Sequence, residues 1–195
     1  MKPTQWPEWL NDVWAKSPEQ GTSGQAETLA DHTWQVLQRL AEFARLRPGL
    51  AQQIEVPYLW QVLFWAAFLH DFGKSARAFQ SHLRGGARWP HRHEVFSLAF
   101  VDWLEDGLSL EQRSWTAAAI ISHHKDADEI SRLYPPPDGM DSDQIARQMG
   151  EFDPQIVSGL WRWLAECAPA WLAELKMGDL GVVMLTFPSA GTAVR

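Results

Sequence analysis

The segment that most restricts the fold is YLWQVLFWAAFLHD, which spans residues 58–71 and follows Pro57. It is apolar on nearly every side and has the length of a helix, so it predicts a helix buried in the centre of the protein. Its last two residues, His70 and Asp71, are therefore expected at the edge of the core. Gly73 comes two residues later and is expected to turn the chain.

Apolar residues recur at helical spacing along most of the chain, with almost no alternating strand pattern. The other predicted helices cover residues 26–46, 75–83, 93–104, 109–124 and 153–164, with a shorter one after Pro169. Ser109 and Gln112 form a capping-box pattern for the helix that ends at His123 and His124. The expected fold class is all-α, in one compact helical domain that covers residues 1–195.

Within this domain the core is expected at residues 10–180. The polar, proline-rich stretch 125–152 predicts a long, mobile loop, since a loop of that length in a compact domain is usually functional or disordered. No structure is assigned to the tail, residues 181–195.

Composition favours a cytoplasmic protein with one core. The chain has 195 residues, 46% of them hydrophobic, and 12 Trp against 2 Tyr, which indicates a thick core and is also compatible with an aromatic surface for a partner. The single Cys167 argues against a disulfide framework and a Cys-rich zinc site. No apolar run reaches the length of a membrane span, and the first residues lack the apolar core of a signal peptide.

The formal net charge of −7 has the wrong sign for a typical nucleic-acid-binding protein. Residues 72–93, however, contain five basic residues and no acidic one. This segment is either a solvated face or a surface for phosphates. The candidate nucleic-acid contacts are Lys74, Arg77, Arg84 and Arg88.

The letters Gly73-Lys74-Ser75 resemble the end of a nucleotide-binding P-loop. A P-loop has a glycine five positions before that Gly-Lys pair, whereas this chain has Phe68 there. A helix rather than a strand also precedes the motif. The sequence therefore does not predict an ATP site.

Five of the seven histidines fall at helix ends or on apolar helix faces. Taken singly, each is more typical of a hydrogen-bonded histidine than of a ligand. Together they indicate a shared partner, because buried imidazoles are costly without one, and a metal ion would supply it. They are His32, His70, His93, His123 and His124. The other two, His82 and His91, are expected at the surface.

With Asp71, these histidines offer six donors, more than one tetrahedral metal would use. The set fits two divalent ions bridged by Asp71, an arrangement suited to phosphodiester hydrolysis. Imidazole-rich sites favour Mn, Fe, Co or Ni, with Mg as the alternative. Lys74 follows Asp71 by three residues and is either a cation for a phosphate oxygen or a plain surface lysine.

The order H…HD…H…HH resembles that of the HD superfamily of metal-dependent phosphohydrolases. The flanking segments LNDVWAKS, TLADHTWQV, LHDFGKSARAFQSHL, HRHEVFSLAF and AIISHHK look like the HD nuclease of type I CRISPR systems. This likeness covers about residues 10–125. It implies an all-helical domain that cuts single-stranded DNA at a central two-metal site. It also implies helicase and CRISPR surveillance-complex partners, although the helicase motor has no counterpart here.

The resemblance also implies roles for individual residues. Asp71 and Lys74 match catalytic residues of the family. The first metal would be held by His32, His70 and Asp71, and the second by Asp71, His93, His123 and His124. The family completes its first site with a late aspartate, for which nothing after His124 is a clean match. The candidates are Asp179, Asp153 and Asp138, and Asp153 is alternatively a helix N-cap.

Two other functions remain open. One is an HD-type phosphohydrolase of nucleotides or cyclic nucleotides, although such enzymes often use a shorter ligand set, and the signalling variant needs a GYP element absent here. The other is a non-catalytic helical module that recruits a helicase or a surveillance complex through its tryptophans.

Overall fold

The structure, a computed structural model, describes residues 6–18, 24–124 and 152–187, together with 128, 132 and 150. Within these ranges the α-helices, α1 to α7, are Leu29–Leu46, Leu50–Gln53, Leu59–Leu69, Arg77–Leu83, His93–Ser97, Leu110–Ser122 and Pro154–Glu174. Short 3-10 helices cover Glu8–Asp12, Phe72–Ser75, Leu98–Leu104 and Met177–Leu180. Two strands, β1 (Trp14–Lys16) and β2 (Glu27–Thr28), form an antiparallel pair. The predicted all-α class is confirmed.

The helix predicted to be central, α3, is buried among the other helices. Phe64, Trp65, Phe68 and Leu69 are fully buried, and α3 packs against both α1 and α6. The ring of Phe68 lies 5.0 Å from that of Trp163 on α7, measured between centroids. The ring of Trp34 on α1 lies 5.3 Å from that of Trp171 on α7. Aromatic packing therefore joins the first and last long helices around α3. In the described part of the chain, no helix is both long and apolar enough to cross a membrane.

The small sheet is a feature that the alternation pattern did not predict. It pairs Trp14 with Thr28 and Lys16 with Glu27, with an irregular register between the two pairs. β2 leads directly into α1, where Thr28 caps the helix by accepting a hydrogen bond from the backbone N–H of Asp31. The sheet thus fixes where α1 begins, three residues later than the predicted start at 26.

Helix α7 continues through Pro169, so the prediction of two separate helices here was wrong. Proline inside a helix removes one backbone hydrogen bond and costs about 3 kcal/mol. Here the residues on both sides of it are anchored in the same core, since Ala168 and Trp171 are fully buried. Their packing outweighs the local cost.

The predicted helix at 93–104 is divided into α5 and the 3-10 helix Leu98–Leu104. The hydroxyl of Ser97 lies 3.1 Å from the carbonyl oxygen of His93, where a serine side chain competes with the helical backbone bond. The predicted capping box at Ser109 and Gln112 is confirmed.

At the carboxyl side, residues 181–187 pack on the core although no structure was assigned to them. Val182 and Leu185 are buried, and the ring of Phe187 contacts those of Trp65 and Trp161. The predicted loop at 125–152 lies almost entirely outside the described residues, as does the rest of the tail.

Replacing Trp163 with alanine is expected to lower the free energy of unfolding by about 3–5 kcal/mol, because it empties a fully buried site. Trp115→Ala is the matched control, since Trp115 is 51% exposed on α6. Its cost is expected to stay below about 1 kcal/mol. Urea unfolding followed by circular dichroism measures both, and equal costs would contradict the described core.

Candidate metal centre

Six side chains that the sequence singled out converge on one point. They come from the first turn of α1, the end of α3, the start of α5 and the end of α6. They are His32, His70, Asp71, His93, His123 and His124.

The carboxylate of Asp71 lies at the centre of this cluster and is 1% exposed. Its Oδ2 atom lies 3.3 Å from Nε2 of both His32 and His70. Its Oδ1 atom lies 3.1 Å from Nε2 of His93 and 3.8 Å from Nε2 of His123. The two oxygens therefore face two different sets of imidazoles.

The far nitrogens of two of these histidines are held by the helix ends themselves. Nδ1 of His70 lies 2.8 Å from the carbonyl oxygen of Ala67, and Nδ1 of His123 lies 2.6 Å from that of Ile120. A carbonyl oxygen can only accept, so Nδ1 carries the proton and donates it. In the neutral imidazole, Nε2 then presents a lone pair toward Asp71.

Burial keeps several of these imidazoles uncharged. It lowers the pKa of His123 to about 4, and it also lowers the pKa of His32 and His124. Burial alone would raise the pKa of Asp71, but His70, His93 and Lys74 outweigh it and hold that pKa well below its usual value. At neutral pH the neutral imidazoles of His32, His123 and His124 thus lie around an ionised carboxylate, the protonation states that metal ligands need.

This arrangement leaves polar atoms facing one another without partners. Oδ1 of Asp71, and Nε2 of His93 and His123, are buried without a hydrogen-bond partner among the described residues, and Oδ2 of Asp71 has only its ion pair with Lys74. Nε2 of His70 and of His123 presents a lone pair toward these carboxylate oxygens. Opposed lone pairs repel, and a cation between them removes the conflict. The residues therefore fit a divalent metal ion by donor type and by spacing.

The donors form two groups that share Asp71. One contains Asp71, His93, His123 and His124, and the other contains His32, His70 and Asp71. Within each group the ligand atoms lie within 4.8 Å of one another. Either group could hold a metal.

Lys74 lies beside the second group and is buried rather than on the surface. Its Nζ atom lies 2.8 Å from Oδ2 of Asp71, as an ion pair. From the sequence, this approach was expected only if the α-helix continued, but α3 ends at Leu69 and the 3-10 helix Phe72–Ser75 follows. Residues three apart are superposed in a 3-10 helix, so the contact forms without the extra α-helical turn.

Gly73 is required by close packing and not for turning the chain, because its φ is not positive. A Cβ atom there would lie 2.0 Å from the carbonyl oxygen of His93. The backbone N–H of Gly73 donates to Ser97 Oγ at 2.8 Å, and that hydroxyl lies 2.7 Å from the carbonyl oxygen of His70. These contacts bring α5, and with it His93, against the end of α3.

Two carboxylates that were not predicted from the sequence lie near the outer nitrogens of other histidines. Glu27 on β2 places Oε1 3.1 Å from Nδ1 of His32, and its Oε2 is paired with Lys16 on β1 at 2.7 Å. Glu94 is 1% exposed, with Oε2 3.5 Å from Nδ1 of His93. A hydrogen-bonded carboxylate such as Glu27 orients the ring and fixes its tautomer, whereas Oε2 of Glu94 has no hydrogen-bond partner among the described residues. The one available signal was an acidic residue near each histidine in the sequence.

The arginines predicted to contact phosphate differ in how far the rest of the protein engages them. Arg77 is exposed and lies 3.7 Å from Asp153, and Arg88 is exposed. The guanidinium of Arg84 stacks 4.5 Å above the ring of Trp14 and donates to Gln80, so it supports the fold locally.

The two described candidates for the late aspartate, Asp153 and Asp179, belong to neither donor group. Asp153 accepts from the backbone N–H of Gln155 at 2.8 Å and caps α7, which was its alternative interpretation. Asp179 is exposed in the 3-10 helix Met177–Leu180. Asp138 lies outside the described residues.

A helical domain with a histidine–aspartate pair at the end of its central helix, surrounded by four more histidines, has the architecture of HD-type metal-dependent hydrolases. More narrowly, the chain belongs to the family described as "Cas3, HD domain", whose sequence model matches residues 14–187. The resemblance stated from the sequence is thereby confirmed. Comparisons with curated proteins and with solved structures gave no match.

Glu27→Gln is expected to weaken metal binding about 10- to 100-fold, because an amide no longer fixes the tautomer and orientation of His32. Calorimetric titration with Mn²⁺ measures the affinity. Glu42→Gln, at an exposed position on α1, is the matched control. Equal affinities for the two variants would show that Glu27 does not orient the ring.

Gly73→Ala is expected to push α5 away from α3 and to weaken metal binding through displacement of His93. Gly49→Ala is the control, since no atom lies within 4 Å of a Cβ added at Gly49. The two variants are compared by Mn²⁺ titration and by thermal unfolding. Unchanged binding and unfolding in Gly73→Ala would contradict the close approach.

Proposed function

We propose that this protein is a metal-dependent nuclease that hydrolyses phosphodiester bonds of single-stranded DNA in CRISPR antiviral defence. The observation that carries the proposal is the buried carboxylate of Asp71, whose two oxygens face two separate sets of imidazoles. Membership of the Cas3 HD-domain family supports a metal-dependent hydrolase with a nucleic-acid substrate.

We further propose two divalent ions, one in each donor group, with Asp71 shared between them. The five imidazoles favour Mn, Fe, Co or Ni, with Mg as the alternative. Such ions, when bound, supply Lewis acidity toward phosphoryl oxygens and lower the pKa of water toward neutrality.

The residues of the chain then have separate tasks. The six proposed ligands hold the metals, and Glu27 orients the ring of His32. Lys74 sits 2.8 Å from Asp71 and carries a positive charge that a phosphate oxygen can share. In this role it binds and orients the phosphate that is cut.

The DNA strand is proposed to approach over the basic segment 72–93, where Arg77 and Arg88 are exposed. Arg84 is less suited to this role because it is engaged with Trp14 and Gln80. The proposed partners are a helicase and a CRISPR surveillance complex, which would deliver the strand, and the proposed location is the cytoplasm.

Asp71→Asn is expected to lower single-strand cleavage by more than about 100-fold, since a bridging ligand contributes at least as much as the residues that orient ligands. The protein is loaded with Mn²⁺, Co²⁺ or Ni²⁺, its metal content is measured by mass spectrometry, and labelled single strands, duplexes and nucleotides are offered. The metal content of the variant is expected to fall as well.

Asp179→Asn is the matched control, because Asp179 is exposed and belongs to neither donor group. A loss of metal in this variant would instead identify Asp179 as the late ligand. Turnover of nucleotides alone would replace the proposal with a nucleotide phosphohydrolase. Absence of both metal and turnover in the wild type would favour a non-catalytic recruitment module.

A further inference from the structure

A groove of about 370 Å³ opens beside the metal centre, between α1, α3 and α6. Three of its lining residues are histidines of the centre, His32, His70 and His123. The ring centroids of His32 and His70 are 5.4 Å apart, and those of His70 and His123 are 5.0 Å apart. Imidazole rings therefore form the wall at this end of the groove.

The groove extends away from the histidines along all three helices. On α1, Val36 and Leu40 lie one and two turns beyond His32. On α3, Ala67 and Leu63 lie about one and two turns before His70, and on α6 Ala119 lies one turn before His123. Two helical turns correspond to about 11 Å, so the groove is longer than the metal centre itself.

The chemistry of the walls restricts what can enter. Apart from the histidines, every lining residue is Ala, Val or Leu, and among the described residues no Lys, Arg, Asp or Glu lines the groove. A phosphate would therefore meet no cation from these walls, whereas the flat faces of an aromatic ring would meet alkyl groups and imidazoles. The volume falls within the range of small-molecule sites and is too small for a duplex.

We propose that this groove binds one unpaired nucleobase of the DNA strand whose phosphate lies at the metal centre. The proposal rests on the proposed nuclease function. The choice of a base as the occupant follows because the groove is continuous with the metal centre: His32, His70 and His123 belong to both. A base is joined through its sugar to the phosphate that is cut, so it lies next to that centre. Because the walls offer almost no hydrogen-bonding groups, the groove accepts any of the four bases.

This assignment gives a physical reason for a preference for single strands. A base in a duplex is stacked and paired, and it must leave the stack before it can enter a narrow site. An unpaired strand avoids most of that cost. The groove thus selects single strands through the base and not through the charge of the backbone.

The test compares two single-stranded substrates of equal length, oligothymidylate and an oligomer with the same backbone but no bases. The wild-type protein, loaded with Mn²⁺, is expected to cleave oligothymidylate with a kcat/KM about ten-fold higher or more, the size of one base-stacking contact. Ala119→Leu fills the groove and is expected to remove that advantage while leaving cleavage of the baseless oligomer unchanged.

Ala118→Leu is the matched control, because Ala118 is adjacent on α6 but exposed and outside the groove. Metal content and thermal unfolding are measured for both variants. If Ala119→Leu fails to fold, the wild-type comparison of the two oligomers decides alone. Equal kcat/KM on the two oligomers overturns the proposal, as does an equal loss on both substrates in Ala119→Leu. Absence of cleavage of any DNA by the wild type overturns the nuclease function itself, a result that is distinct from either of these.

Discussion

The structure depends on one electrostatic constraint, the burial of the Asp71 carboxylate among imidazole lone pairs. A buried charge is costly unless it is paired, and the imidazoles of His32, His123 and His124, whose pKa values burial lowers, bring no positive charge. Lys74 compensates one oxygen of the carboxylate at 2.8 Å and leaves the other facing His93 and His123. The end of α3, the absence of a side chain at Gly73 and the approach of α5 all serve to hold this cluster together. A divalent cation bound here would stabilise this arrangement.

The convergence of the five histidines on one site was predictable from the sequence, because each lies at the end or on the face of a helix with a clear apolar pattern. The environment of Gly73 was not predictable, since a close approach to His93 depends on how two helices pack. Glu27 was missed for a related reason: β2 has two residues and an irregular register, too short to leave an alternating pattern. The helix break predicted at Pro169 was wrong because the rule that proline ends a helix is local. Here the core buries residues on both sides of Pro169 and keeps the helix continuous.

In the fold, some basic side chains of residues 72–93 are engaged by other parts of the protein, and the others remain available to a ligand. Within the basic segment, Arg84 stacks on Trp14, and Arg92 is paired with the buried Glu94. Lys74 is turned inward to Asp71. Counting basic residues in the sequence therefore overstates the positive surface. The remaining exposed cations of this segment are Arg77, which lies 3.7 Å from Asp153, and Arg88.

With a net charge of −7, the proposed nuclease would have to hold DNA with little help from its overall field. In the proposed nuclease, attraction to phosphate is concentrated at the metal centre and Lys74, where the charges are buried and poorly screened by salt. The groove adds contacts to a base, which depend on apolar area and not on charge. A duplex presents its phosphates but not its base faces. It therefore gains the attraction to the metal centre but not the contact between a base and the groove. In this proposal, preference for single strands would arise from the shape and apolarity of the groove next to the metal centre, and the net negative charge would reinforce it by repelling duplex that is not delivered to the centre.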